Sequence, residues 1–257
     1  MKKMILITGA TDGIGFETAR KLASEGHALL LHGRSEEKLA TVKTELSTIA
    51  GVGELKTYCA DLSKLPEVEA LATAITEEHA TLDVLINNAG VFKVPNTQTS
   101  DGYDVRFIVN TVAPYLLTNK LLPFMTANGR VVNLSSAAQA PVDLEALSGN
   151  RTLADGEAYA QSKLGITMWS FHLSAALGSE GPAIIAVNPA SFLASKMVKE
   201  AYGAEGNDLG IGADILFRAA VSNEFQAASG RYYDNDRRQF SSPHPDALTA
   251  LKTATWS

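Results

Sequence analysis

A series of short, mostly apolar runs, separated by segments with helical periodicity, constrains the fold of this chain more than any other feature. The runs are Met4–Ile7, Ala28–His32, Leu55–Cys59, Asp83–Ile86, Arg130–Ser136 and Ala183–Val187, with Gly230–Tyr233 as a candidate seventh. A strand that faces water on one side alternates apolar and polar residues, whereas a run that is apolar throughout is buried on both faces. Alternation with helices then predicts an α/β fold, a doubly wound parallel sheet of about seven strands with helices on both faces, joined by right-handed crossovers. The 257 residues, 46% apolar and 19% charged, suit a single domain spanning 1–257 without a second one.

The helices announce their own ends. Ser35 is placed as an N-cap, with Glu36 and Glu37 in the first turn of a helix reaching about Ile49. Pro66 suits the first turn of the next. A long helical pattern covers about 102–124 with Pro114 as a kink inside it, and another covers about 156–177. Residues 190–210 and the tail from about 234 are rich in Gly, Ser, Asn and Pro and read as loops.

In sheets of this kind the ligand crevice lies beyond the carboxyl ends of the strands, where the chain's most distinctive residues collect. The first run ends in Thr8-Gly9-Ala10-Thr11-Asp12-Gly13-Ile14-Gly15 and passes into a helix with Phe16, Ala19, Leu22 and Ala23 on one side. Glycines at 9, 13 and 15 let the backbone approach a pyrophosphate, and the positive end of the helix attracts its charge. The spacing Gly-x-x-x-Gly-x-Gly departs from the commoner Gly-x-Gly-x-x-Gly, and a purely structural strand-to-helix turn is the competing reading. Farther on, Tyr159 and Lys163 stand four apart in a helical segment and so share one face. An ammonium beside a phenol favours the phenolate and makes the tyrosine a proton shuttle, where the bland alternative is an exposed surface pair.

Composition narrows the partners. The net charge is −6 and the cations are scattered, so neither nucleic acid nor a membrane surface is expected as a partner. Cys59 is the single cysteine, which leaves no internal disulfide, and no Cys/His cluster has metal-ligand spacing, so no metal is expected. The apolar run after Met1–Lys3 breaks at Thr8, too short for a secretory segment, and no run approaches the ~18 apolar residues of a membrane span. A cytoplasmic location is the default expectation.

The glycine turn, Asn87-Asn88-Ala89-Gly90, Ser136 and Tyr159-x-x-x-Lys163, in that order over roughly 4–200, resemble the short-chain dehydrogenase/reductase family. The separation of Ser136 from Tyr159, with extra residues between them, looks like the retinol-dehydrogenase-like branch, and 137–157 is expected to line the substrate side of the cleft. The resemblance implies a Rossmann-type fold and an oxidoreductase that moves hydride between a nicotinamide cofactor and an alcohol or carbonyl compound. It implies Tyr159 as general acid or base, Lys163 as its electrostatic partner and ribose contact, Ser136 rather than Ser135 on the carbonyl oxygen, and Asn110 holding a water behind the lysine. On the cofactor side it implies Gly9, Thr11, Asp12, Gly13, Ile14 and Gly15 at the pyrophosphate, Asp61 and Leu62 at the adenine, and Asn88, Ala89 and Gly90 at the adenosine ribose. The Asn87-Asn88 pair also has a structural reading, tying strand ends to the glycine turn by side-chain hydrogen bonds.

The second run ends in Gly33-Arg34-Ser35, and a cation there attracts a 2′-phosphate, so Arg34 and Ser35 favour NADP over NAD. Glu36, Glu37 and Asp12 weigh the other way. After the sixth run, Asn188-Pro189-Ala190-Ser191-Phe192-Leu193-Ala194-Ser195 resembles the family segment at the nicotinamide, with Ala190 replacing its usual glycine and Ser195 its threonine. Pro189, Phe192 and Ser195 are the expected contacts, and a substrate lid is expected over 190–210. Apolar residues in 137–157 and in that segment suggest a hydrophobic substrate. The resemblance further implies a homo-oligomer, dimer or tetramer, and the rival reading is a catalytically silent NAD(P)-sensing protein on the same fold.

Overall fold

The structure, a computed structural model, describes residues 1–191, 193 and 206–248. Its strands are β1 (Met4–Ile7), β2 (Ala28–Gly33), β3 (Leu55–Cys59), β4 (Leu82–Asn87), β5 (Met125–Leu134), β6 (Ala183–Asn188), β7 (Arg231–Asp234) and β8 (Gln239–Ser241). They form one sheet in the order β3-β2-β1-β4-β5-β6-β7-β8, parallel except for the β7–β8 hairpin. The chain starts in the middle, winds outward to β3, then crosses to β4 and winds the other way. The reversal between β1 and β4 opens a crevice at their carboxyl ends.

The helices are α1 (Gly13–Ser24), α2 (Glu36–Ser47), α3 (Leu65–Glu78), α4 (Val105–Phe107), α5 (Ala113–Leu121), α6 (Leu144–Leu147), α7 (Asp155–Leu177) and α8 (Leu209–Val221). Alternate strand residues feed two cores. Ile5 and Ile7 pack with α1, α2 and α8 on one face, while Leu6 packs with α3, α5 and α7 on the other. Burial on both sides is what makes the strands apolar throughout, since each side chain that leaves water contributes about 1.5–3 kcal/mol.

Several boundaries differ from the sequence expectation. The sheet has eight strands rather than about seven, because the tail after 234 folds back as β8 instead of remaining a loop. Its three residues, Gln239–Ser241, are too few to show a period. Strand β5 begins at Met125 rather than Arg130 and stops at Leu134, so Ser135 and Ser136 lie just beyond it. The long helix starts at Val105, not 102, because Gln98 and Asp104 form a β-bridge ahead of it. Its kink is a π-helical turn, Ile108–Val112, directly before Pro114. Proline lacks the N–H that would close on the Asn110 carbonyl in an α-helix, and the wider turn accommodates that gap. Helix α8, unread in the sequence, buries Ala213, Leu216 and Ala220 on α1.

Candidate active site

The turn after β1 is built for close approach. Gly9 and Gly13 have positive φ, 66° and 55°, which only glycine adopts without strain. Gly15 is needed for a different reason, since a Cβ there would lie 2.2 Å from the Gly9 carbonyl oxygen. Asp12 caps α1 by accepting the Gly13 N–H at 2.7 Å, leaving Thr11 and Ile14 half-buried around the opening. The tight turn therefore places the N-terminus of α1 at the crevice, with no side chain on its inner glycine.

Two polar links hold this turn to the neighbouring strands. Thr8 Oγ1 accepts the N–H groups of Asn88 and Ala89, each at 3.1 Å, and Asn88 Nδ2 donates to the carbonyls of Thr8 and Gly9 at 2.9 and 3.0 Å. The Asn88 side chain thus has the structural role, while Ala89 and Gly90 carry the turn past the crevice. Asn87 turns inward and donates to Thr118 and Asn133. On the other side the Gly9 N–H donates to His32 Nδ1, and His32 Nε2 donates to the Ala60 carbonyl at 3.0 Å. Burial lowers His32 to a pKa of about 4, so it is neutral and locked in that tautomer. Sequence reading passed over both Thr8 and His32; a polar residue closing an apolar run at the sheet's carboxyl edge is the signal for each.

Arg34 is exposed at the end of β2, beside Gly33, where a Cβ would strike Thr11 Cγ2 at 2.6 Å. The second strand's end and the glycine turn are therefore in contact, with Arg34 at their rim. Ser35 caps α2 through the Lys38 N–H at 3.3 Å, and Glu36 and Glu37 occupy the first turn. Their place is explained by the helix dipole. Asp61 accepts from the Ser63 N–H and hydroxyl, and Leu62 is buried in the core beside Val68 and Leu71. Of that pair, Asp61 is the partly exposed member.

The residues expected to carry the chemistry sit at the ends of β4 and β5 and on α7. Lys163 is 4% exposed, and its Nζ donates to the Leu134 carbonyl at 2.8 Å. Burial lowers its pKa to about 8. Nζ lies 5.6 Å from the centroid of the Tyr159 ring, and that ring makes a T-shaped contact with Phe92, centroids 4.9 Å apart. A Cβ on Gly90 would lie 3.5 Å from Lys163 Nζ and 3.4 Å from Asn110 Oδ1, so the β4 turn runs between them. Asn110 grips Val91 in both directions, accepting its N–H at 2.8 Å and donating to its carbonyl at 2.9 Å, and also donates to Ser162.

The two serines after β5 are clearly different. Ser135 is buried and shares a 2.6 Å hydrogen bond with Thr167. Ser136 is partly exposed, its Oγ accepts the Ala138 N–H, and its carbonyl takes bonds from Gln139 Nε2 at 2.8 Å and the Tyr232 hydroxyl at 3.0 Å. Arg106, fully buried, joins Asp104 to Asp155 and so ties the segment bearing Asn110 to the first turn of α7. This cation lay unnoticed inside a helical pattern that predicts only packing.

Beyond β6, Pro189 is buried and Ala190 has φ of 123°, the conformation for which its usual glycine is suited. Phe192, Ser195 and most of the expected lid fall outside the described residues. Among those described, no helix is long and apolar enough to cross a membrane, and no group of His, Cys, Asp or Glu could hold a metal ion.

Fold and site together define an oxidoreductase of the short-chain dehydrogenase/reductase family. The family described as short chain dehydrogenase matches residues 3–206, and the chain belongs to it. Among curated relatives, the chain is 30% identical to a human polyprenol dehydrogenase over 99% of its own length and 83% of the relative's. It is 30% identical to retinol dehydrogenase 13 of Mus musculus, covering 95% and 79%, which fixes the retinol-dehydrogenase-like branch. A metagenomic short-chain oxidoreductase solved in complex with NADP is 30% identical, with a TM-score of 0.67 over 87% of this chain and 93% of that one. Angucycline C-6 ketoreductase LanV, solved with bound NADP, is 25% identical with a TM-score of 0.71, covering 91% and 93%.

Proposed function

We propose that this protein transfers hydride between NADP(H) and an alcohol or carbonyl compound, with Tyr159 as the general acid or base. The observation that carries the reading is the buried Lys163 ammonium, held by Leu134 at 2.8 Å and poised 5.6 Å from the Tyr159 ring at the mouth of the crevice. The glycine turn fits a dinucleotide, because Gly15, where a Cβ would lie 2.2 Å from the Gly9 carbonyl oxygen, lets the turn close tightly and sets the N-terminus of α1 at the crevice, where its positive end attracts a pyrophosphate. Gly9, Thr11, Gly13, Ile14 and Gly15 would hold the pyrophosphate, Asp61 the adenine edge, and Pro189 with the following segment the nicotinamide end.

Arg34 favours NADP. It is the exposed cation at the carboxyl end of β2, where it would pair with a 2′-phosphate alongside Ser35, and two structural relatives are described with NADP. When bound, the cofactor supplies or accepts the hydride. Ser136 donates a hydrogen bond to the carbonyl oxygen, and Tyr159 donates its phenolic proton to that oxygen on reduction or removes it on oxidation. The Lys163 ammonium favours negative charge on the phenolic oxygen, and the Asn110 carbonyl, which Pro114 cannot cap in α-helical fashion, takes part in returning the proton through water.

The relatives named for polyprenol and retinol support an apolar alcohol, or its carbonyl form, as substrate. Leu144, exposed on α6, gives the inserted segment an apolar face for it. A homo-oligomer paired through α5 and α7 is also part of this reading, with Tyr115, exposed on α5 and packed edge-on to Trp169, at its centre. The test mixes the purified protein with NADPH and a panel of aldehydes and ketones that includes retinal. Wild type is expected to oxidise NADPH, whereas Tyr159→Phe binds it equally well and does not turn over. Equal turnover by both proteins would overturn the assignment of Tyr159, and cofactor binding without turnover across the panel would favour the silent sensor.

A further inference from the structure

The turn of the β7–β8 hairpin reaches back across the sheet edge and grips the segment that follows β6. It holds five polar groups of residues 188–191. The Asn188 carbonyl accepts the Asn235 N–H at 3.1 Å, and Asn188 Nδ2 donates to Asp234 at 3.0 Å and Asp236 at 2.9 Å. The Pro189 carbonyl accepts from Asn235 Nδ2 at 2.9 Å. The Ser191 N–H and hydroxyl both donate to the Asp236 carboxylate, at 2.8 and 2.6 Å. Between these anchors stands Ala190, whose φ of 123° lies where an L-residue with a Cβ is strained. A strained residue persists only where its surroundings over-determine it.

Asp236 is the centre of this arrangement. Burial pushes its pKa up, but the bonds from Ser191 and Asn188 outweigh that and hold it below the usual carboxylate value, so the ionised form makes the grip.

We propose that Asp236 is a positioning residue, and the β7–β8 turn a clamp, that fixes the Asn188–Ser191 backbone in a strained shape to receive the nicotinamide half of the cofactor. The inference rests on the NADP reading above and adds to it a specific residue outside both the glycine turn and the helix that bears Tyr159.

The test separates the two halves of the cofactor. Wild type, Asp236→Ala, Asp236→Asn and the double variant Asp236→Ala/Ala190→Gly are titrated with NADPH and with adenosine 2′,5′-bisphosphate, which carries only the adenine end. Asp236→Ala is expected to weaken NADPH about tenfold, equivalent to ~1.4 kcal/mol, while leaving the bisphosphate unchanged. Glycine at 190 in the double variant restores part of the loss, because it takes positive φ without strain. Should Asp236→Ala fail to fold, Asp236→Asn, which keeps the shape and one acceptor, carries the test with a smaller loss of the same selectivity. Equal weakening of both ligands, or unchanged NADPH binding, overturns the clamp. If wild type binds the bisphosphate but Asp236 proves indifferent, only the clamp fails; if it binds neither ligand, the cofactor reading fails and the clamp with it.

Discussion

Replacing Lys163 with methionine removes a buried charge while keeping most of its volume, and the structure sets the size of the effect. Burial lowers the lysine from its ordinary 10.5 to about 8. At ~1.4 kcal/mol per pH unit, carrying the ammonium near pH 7 costs the native state about 3 kcal/mol. The sign follows from proton counts. Between the folded and unfolded values the unfolded chain holds more protons than the native one, so wild-type stability rises with pH through that window. From about pH 7 to about pH 9.5 the gain is about 2 kcal/mol, and methionine has none of it. Against this, the variant strands the Leu134 carbonyl that now accepts from Nζ at 2.8 Å, costing about 1–3 kcal/mol. The two effects nearly cancel near neutrality, so the pH slope is the discriminating quantity. Urea unfolding of the cofactor-free proteins, followed by far-ultraviolet circular dichroism at both pH values, measures it. The wild type should gain about 2 kcal/mol relative to Lys163→Met on going to the higher pH. Parallel behaviour of the two proteins would refute the claim that this amine is buried and electrostatically strained.

Other expectations are more local. Gly15→Ala forces a Cβ to within 2.2 Å of the Gly9 carbonyl oxygen, and should lower the unfolding free energy by about 1–3 kcal/mol and abolish NADPH binding in a fluorescence titration. Ser136→Ala should cut turnover by about 10²-fold with little change in melting temperature. Ser135→Ala, which loses the 2.6 Å bond to Thr167, should do the reverse and cost about 1 kcal/mol of stability. His32 is held near a pKa of about 4, below its ordinary 6.5, so its contribution is complete above the ordinary value and is lost as pH falls through the window between them. That loss is about 3 kcal/mol by pH 4, and acid titration of stability in His32→Asn should lack this component.

Much of this was legible in the sequence, for identifiable reasons. Strands such as Leu29–Leu31 are buried on both faces, so composition alone marks them, and the cap at Ser35 is a local feature that depends on few neighbours. The separate fates of Ser135 and Ser136 follow from where β5 stops. Other parts depend on contacts between distant residues and leave no local trace. Strand β8 exists because Phe240 packs on Phe225 and Tyr233 of the same edge, and nothing within three residues could show it. The same holds for the Arg106 bridge to Asp155 and for the reach of Asp236 to Ser191, each a pairing across 45 residues or more. Ala190 lies between these cases: its departure from glycine was visible in the sequence, but the positive φ that gives the departure a cost is visible only in the fold.

The functional expectations depend on NADP(H) occupying the crevice, and the choice of NADP rests on its 2′-phosphate meeting Arg34. The most direct measurement is a pair of titrations, with NADPH and with NADH, following nicotinamide fluorescence on wild type and Arg34→Ala. The account predicts much tighter binding of NADPH by wild type and loss of most of that preference in the variant. Equal or tighter binding of NADH by wild type would contradict the charge argument and move the ribose contact to Glu36 or Glu37, and binding of neither would contradict the proposed activity itself.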